Sequence, residues 1–148
     1  MCIRDRNTRM LVLNEDIKNQ IIKHAIHELP NEACGLFSAN IGSSTIACFY
    51  PMENVAKSEI IYQLNPLEMM KVEGIADAEE RQIIGVMHSH THTAAYPSPT
   101  DVRDATDFDP LGTWHYIIVS LQESEPVIRS FRIRNEEITE EEISFVSS

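Results

Sequence analysis

Ile83-Ile84-Gly85-Val86-Met87-His88-Ser89-His90 is the stretch on which both the fold and the chemistry turn. It reads as a strongly apolar strand that ends in histidines. Side chains at i and i+2 of a strand share a face. His88 and His90 can therefore grip one metal ion. A lone His-x-His is a weak signal, because a strand can simply end in two polar residues.

Elements on either side can be read outward from this strand. Asn14 is placed to cap a helix over residues 15–29, with Ile17, Ile21, Ile22, Ala25 and Ile26 on one face and Pro30 as the stop. A strand-like Met10-Leu11-Val12-Leu13 precedes it. Residues 34–39 and 46–50 read as two strands joined by the polar turn Asn40-Ile41-Gly42-Ser43-Ser44. Residues 60–64 read as a short strand. Asn65-Pro66 then opens a second helix to about residue 80, with Leu67, Met70 and Ile75 inward. Beyond His90, a loop with Pro97 and Pro99 leads to a short helix starting at Ser98 and running to about residue 107. Residues 114–121 and 127–133 look like an antiparallel pair. Strand runs mixed with three helices predict an α+β fold with one central sheet.

Composition narrows the class. The chain has 148 residues, 43% of them hydrophobic, which is enough for one domain with its own core. No apolar run approaches the roughly 20 residues of a membrane span, and no secretory signal is visible. The formal charge of −11 disfavours nucleic acid as a partner. Glu136, Glu137, Glu140, Glu141 and Glu142 crowd the tail and read as a solvated face. Cys2, Cys34 and Cys48 form no CxxC pair, which fits a reducing cytoplasm; Cys34 and Cys48 read as small buried hydrophobes. Met1-Cys2-Ile3-Arg4-Asp5-Arg6 resembles a translated sequencing-library adapter, so residues 1–9 are expected to be a non-native or disordered arm and residues 10–148 the domain.

Two further segments bear on the histidines. Ser98-Pro99-Thr100-Asp101 has Ser at N-cap, Pro at N1 and an acid at N3, a helix start that needs no other purpose. The same start can also carry Asp101 back to the histidines as a third ligand, since seven residues separate His90 from Ser98. Two histidines and a carboxylate leave one tetrahedral position open, the mark of a catalytic zinc site. Zinc lowers the pKa of bound water to about 7. A neighbouring acid would still serve as general base. Glu32, just ahead of Ala33-Cys34-Gly35, is the candidate, though by itself it reads equally as an exposed loop carboxylate.

Together, Glu32-x-x-Gly35, His88-x-His90 and Ser98-x-x-Asp101 resemble the complete JAMM (MPN+) metalloprotease motif. The resemblance runs from about Met10 to the C-terminus and is closest to the small bacterial CysO-cysteine peptidases. Asn31-Glu32-Ala33-Cys34-Gly35-Leu36, His88-Ser89-His90-Thr91 and Ala95-Tyr96-Pro97-Ser98-Pro99-Thr100-Asp101-Val102 carry it, with Thr91 where many relatives have proline. It implies an MPN/JAB domain, a mixed sheet flanked by helices. It also implies Zn2+ held by His88, His90 and Asp101, with Glu32 as proton carrier and Ser98 as donor to the tetrahedral oxygen.

The implied reaction is release of cysteine from the C-terminal glycine of a ubiquitin-like sulfur-carrier protein, a step of cysteine biosynthesis. An extended carrier tail is expected along a sheet edge beside the zinc. A general isopeptidase acting on lysine conjugates shares the chemistry. A non-catalytic MPN scaffold would have lost motif ligands that are all present here. His92 extends the histidine alternation. The HxHxDH zinc signature of metallo-β-lactamases, however, wants an aspartate followed by a histidine where this chain has His92 and Thr93. His92 therefore reads as lining the mouth or exposed. His115 reads as a strand residue.

Overall fold

The structure, a computed structural model, describes residues 10–147; the arm expected over residues 1–9 lies outside the described residues. β1 (Leu11–Asn14) runs directly into α1 (Glu15–His27). Asn14 makes this junction possible, its side chain accepting from the Ile17 N–H at 2.8 Å. Ile17, Ile21 and Ala25 are buried as the periodicity predicts, whereas Ile26 lies at the rim, 51% exposed.

A six-stranded sheet forms the centre. Its strands are β2 (Cys34–Asn40), β3 (Ile46–Met52), β4 (Arg81–His90), β5 (His115–Ser120), β6 (Val127–Arg134) and β7 (Glu137–Glu141), in the order β3-β2-β4-β5-β6-β7. Every neighbouring pair is antiparallel except β4 with β5. That parallel pair needs a crossover, which contains α3 (Pro99–Phe108). The mixed sheet and three helices are the α+β arrangement expected. β8 (Ile143–Val146) pairs in parallel with β1 in a second, two-stranded sheet.

Each face of the large sheet has its own apolar layer. On one side Ile17, Ile21 and Ala25 of α1 pack with Phe37, Met87, Ile117 and Val119. On the other, Val72 of α2 (Pro66–Ala78) and Ala105 of α3 pack with Leu36, Val86, Ile118 and Phe131. A bulge sets the phase of β4: the register passes from Phe37↔Gly85 to Ser38↔Ile83, which leaves Ile84 unpaired. From Val86 onward, alternate residues then face the α2 and α3 side, and His88 and His90 are the last two.

Gly85 is required at this crossing. A Cβ there would lie 2.2 Å from the His115 carbonyl oxygen and 2.5 Å from the Phe37 ring. Gly85→Ala is therefore expected to cost about 1–3 kcal/mol through overpacking against backbone. Urea unfolding checks this; an unchanged midpoint would mean that β4 and β5 can separate without loss.

Three expectations are corrected. Residues 60–64 form no strand: Ile60 lies in a bend and the rest are irregular. Their backbone partners are local: Asn54 Nδ2 donates to the Ile61 carbonyl, and the Gln63 N–H donates to Asn54 Oδ1. Second, α2 buries Val72 and Ala76, while Leu67 and Met70 are 75% and 66% exposed and Ile75 is also exposed. Apolar residues occur on more than one side of this helix, and the face bearing Met69, Val72 and Ala76 is the one turned to the sheet. Third, the acidic tail is not simply a solvated face. It forms β7 beside the basic strand β6, and Glu141 is buried against His115 and Ser130, both at 2.6 Å. His115 is accordingly a strand residue, paired with Glu141 and not with His88, His90 or Asp101. Among the described residues, no helix is long and apolar enough to cross a membrane.

Candidate metal centre

The carboxyl end of β4 and the first turn of α3 meet at one point. β4 delivers His88 and His90 on one face, two residues apart. The capping box of α3 delivers Asp101. Ser98 Oγ accepts from the Asp101 N–H at 3.1 Å, and Asp101 Oδ2 accepts from the Ser98 N–H at 2.9 Å. The capping and ligand readings of this segment are thus compatible. The cap fixes the carboxylate, and the fixed carboxylate faces the histidines.

His88 Nε2, His90 Nε2 and Asp101 Oδ2 form a triangle with every side 3.1 Å. Ligand atoms about 2.0–2.1 Å from a tetrahedral zinc stand roughly 3.3 Å apart, so the triangle has the right size. Proton placement supports the fit. His90 Nδ1 lies 2.8 Å from the Ala94 carbonyl, which can only accept, so this nitrogen carries the proton. In neutral His90 the Nε2 lone pair then faces another imidazole nitrogen and a carboxylate oxygen, an electron-rich cluster that suits a cation. All three side chains are buried, and among the described residues they are the group placed to hold a metal ion.

The local electrostatics agree. In the ion-free site, with protons on the histidine Nε2 atoms in place of a cation, burial raises the Asp101 carboxyl, but the His88 charge and hydrogen bonds from His88, His90 and the Ser98 N–H outweigh it and hold it well below the usual carboxylate range. Burial lowers His90, but its hydrogen bonds to Asp101 and Ala94 and the charges of Asp101 and Glu32 raise it overall.

Glu32 is no exposed loop carboxylate: it is 4% exposed, and its Oε1 has no hydrogen-bond partner among the described residues. The backbone places it beside the end of β4. The Ala33 N–H donates to Ser89 Oγ at 2.8 Å, and the Ser89 N–H donates to the Ala33 carbonyl at 3.0 Å. Burial is the main cause that pushes the Glu32 carboxyl up to about 8, with the His90 charge opposing and the Asp101 charge adding to the rise. A positive ion at the triangle would draw this value down.

Sequence reasoning missed the segment that walls the site. The Glu32 N–H donates to the Ser58 carbonyl at 2.8 Å, and Thr91 Oγ1 donates to the Glu59 carbonyl at 3.1 Å. Asn54, 3% exposed, donates from Nδ2 to the Glu32 and Ile61 carbonyls and accepts from the Ala56 and Gln63 N–H groups. A single polar residue in a polar stretch carries no periodic signal, so Asn54 could not be read in advance. His92 lies outside the triangle, exposed and paired with Glu59 at 3.1 Å. At His88, β4 is paired with β2 on one side and β5 on the other, and the His90 carbonyl accepts from the Leu121 N–H, so among the described residues β4 itself offers no open edge there.

The chain matches the family described as prokaryotic homologs of the JAB domain over residues 14–134. It is 36% identical over 148 residues to the CysO-cysteine peptidase of Mycobacterium tuberculosis (strain ATCC 25618 / H37Rv), covering 99% of this chain and 98% of that protein. It is 28% identical over 101 residues to the desampylase of Haloferax volcanii, covering 65% of this chain and 73% of that protein. Among solved structures, protein DSY2949 from Desulfitobacterium hafniense superposes with a TM-score of 0.85 at 32% identity, over 94% of each chain.

Proposed function

Because this chain belongs to the family of prokaryotic JAB-domain homologs and is a peptidase of the JAMM type, we propose that it hydrolyses the amide joining a ubiquitin-like sulfur carrier's C-terminal glycine to cysteine. End-to-end similarity to a CysO-cysteine peptidase carries the substrate reading. The buried triangle, together with buried Glu32, whose Oε1 has no hydrogen-bond partner among the described residues, supports the chemistry.

His88, His90 and Asp101 would hold one Zn2+. Zinc there would supply Lewis acidity, polarising a carbonyl and lowering the pKa of water to about 7. Glu32 accepts a proton from the attacking water as its oxygen bonds to the carbonyl carbon. Ser98 Oγ accepts from the Asp101 N–H, which leaves its own hydroxyl proton free to donate to the carbonyl oxygen as charge develops. Glu32 then gives its proton to the nitrogen as the C–N bond breaks. The products are the carrier's free C-terminal carboxylate and cysteine. The site lies at the carboxyl end of a parallel strand where a crossover begins, a common place for ligands in sheets with parallel strands. The free thiols of Cys34 and Cys48 support a reducing, cytoplasmic setting.

Ser98→Ala separates capping from chemistry. Losing the cap is expected to cost about 1 kcal/mol of stability. Losing a donor to the developing oxyanion is expected to cost about 2.7–4 kcal/mol in the barrier, or 10²–10³ in rate. Melting and turnover are measured on one sample. A large fall in melting temperature with near-normal turnover would leave Ser98 as a cap alone.

Two conjugates of one carrier test the substrate. A carrier ending Gly-Gly-Cys is expected to release free cysteine faster than the same carrier is released from a lysine side chain, as read by mass spectrometry under single-turnover conditions. Equal or faster cleavage of the lysine conjugate would move the assignment to a general isopeptidase, the activity class for which the desampylase similarity speaks. Cleavage of neither conjugate by zinc-loaded protein would reject both.

A further inference from the structure

The two histidines are held differently. His90 Nδ1 donates to the Ala94 carbonyl, the outer hydrogen bond that orients a ligand imidazole. His88 has none: its Nδ1 is buried with no hydrogen-bond partner among the described residues. Instead the Tyr62 ring stacks on the His88 imidazole, centroids 4.4 Å apart and planes 21° apart. Tyr62 is 8% exposed and belongs to the apolar layer that contains Cys34, Leu64 and Val86.

From this geometry we infer that Tyr62 is the positioning residue of His88, its ring taking the place of the missing outer hydrogen bond. Rotation of the His88 ring would carry Nε2 off the triangle, and the stacked ring blocks that rotation. Tyr62 is itself fixed by the wall segment. Ser58 and Glu59, a few residues before it, accept hydrogen bonds from the Glu32 N–H and Thr91 Oγ1. Asn54 clamps the Ile61 and Gln63 backbone on either side. One short segment thus braces a metal ligand and the backbone of the general base. The effect needs the face of the ring and not the phenol oxygen, so phenylalanine should substitute for it.

The inference rests on the metal centre proposed above, and zinc affinity tests it without reference to turnover. Zinc affinity is measured by competition with a chromophoric chelator for wild type, Tyr62→Phe, Tyr62→Leu and Leu64→Ala, together with the visible spectrum of each Co2+ form. Leu64 lies in the same layer, two residues away, so Leu64→Ala controls for general loosening. Tyr62→Phe is expected to stay within about twofold of wild type. Tyr62→Leu is expected to lose about 10–100-fold in affinity, as when an outer partner of a ligand is removed, with an altered Co2+ spectrum. Leu64→Ala is expected to melt lower yet keep its affinity. Wild-type affinity in Tyr62→Leu, or equal losses in Tyr62→Leu and Leu64→Ala, would overturn the role of Tyr62 and leave the metal centre standing. A loss in Tyr62→Phe as large as in Tyr62→Leu would overturn stacking. Failure of the wild type to bind zinc would overturn the metal centre and this inference together.

Discussion

Glu32→Gln is expected to lower turnover by about 100-fold or more while the protein stays folded and still binds zinc. The rate loss follows from the chemistry: an amide cannot accept the proton of the attacking water or return it to the leaving nitrogen, and a positioned general base contributes about 10²–10⁴-fold. Retained folding follows from the structure. Glu32 is 4% exposed with an unpartnered Oε1, and burial pushes its carboxyl up to about 8. Without metal the folded protein therefore holds Glu32 mostly protonated at neutral pH. Its pKa is raised above the unfolded value, so ionisation destabilises the metal-free protein increasingly as pH rises from the ordinary carboxylate range toward 8. Glutamine has nearly the shape of the protonated acid and no charge to bury. The metal-free variant is accordingly expected to unfold at the same or higher urea concentration than wild type at pH 8. Wild-type turnover by Glu32→Gln would remove Glu32 from the mechanism. Lost turnover with lost zinc would make it a ligand or a structural group.

The site was legible in the sequence because its parts are local patterns with physical meaning. Strand alternation puts His88 and His90 on one face, and a capping box fixes Asp101; both held in the structure. Glu32 was ambiguous, because its burial depends on Ala33 meeting Ser89 and on the Ser58 carbonyl, contacts between distant segments. Tyr62 and Asn54 were invisible for the same reason. The Tyr62 stack joins an irregular segment to β4, and no periodicity encodes it.

The fold shows the same division. α1 and its Asn14 cap, β2, β3 and the β5–β6 pair lie close to where composition and alternation place them. The inward face of α2 cannot be read from the sequence, because Leu67, Met70 and Ile75 compete with Met69, Val72 and Ala76 and only the sheet surface decides which side docks. β7 was hidden by its charge. Glu137 and Glu140 face solvent as acidic residues should, but Glu141 turns inward to His115 and Ser130, and the ladder to β6 supplies the order.

Metal removal has the largest expected effect. The triangle is the His/Cys/Asp/Glu group among the described residues that could hold a metal ion, and the proposed mechanism depends on it. Without an ion there, a carbonyl would lack that polarisation and water would keep its ordinary, far higher pKa. Glu32 and Ser98 alone then face an unactivated amide. The decisive measurement is cysteine release from a carrier ending Gly-Gly-Cys, followed alongside metal content as the protein is stripped by chelator and reloaded. Activity is expected to fall to background on stripping and to return in proportion to zinc, with a plateau at one zinc per chain. Full activity in protein shown to be free of metal would contradict a zinc-dependent mechanism at His88, His90 and Asp101.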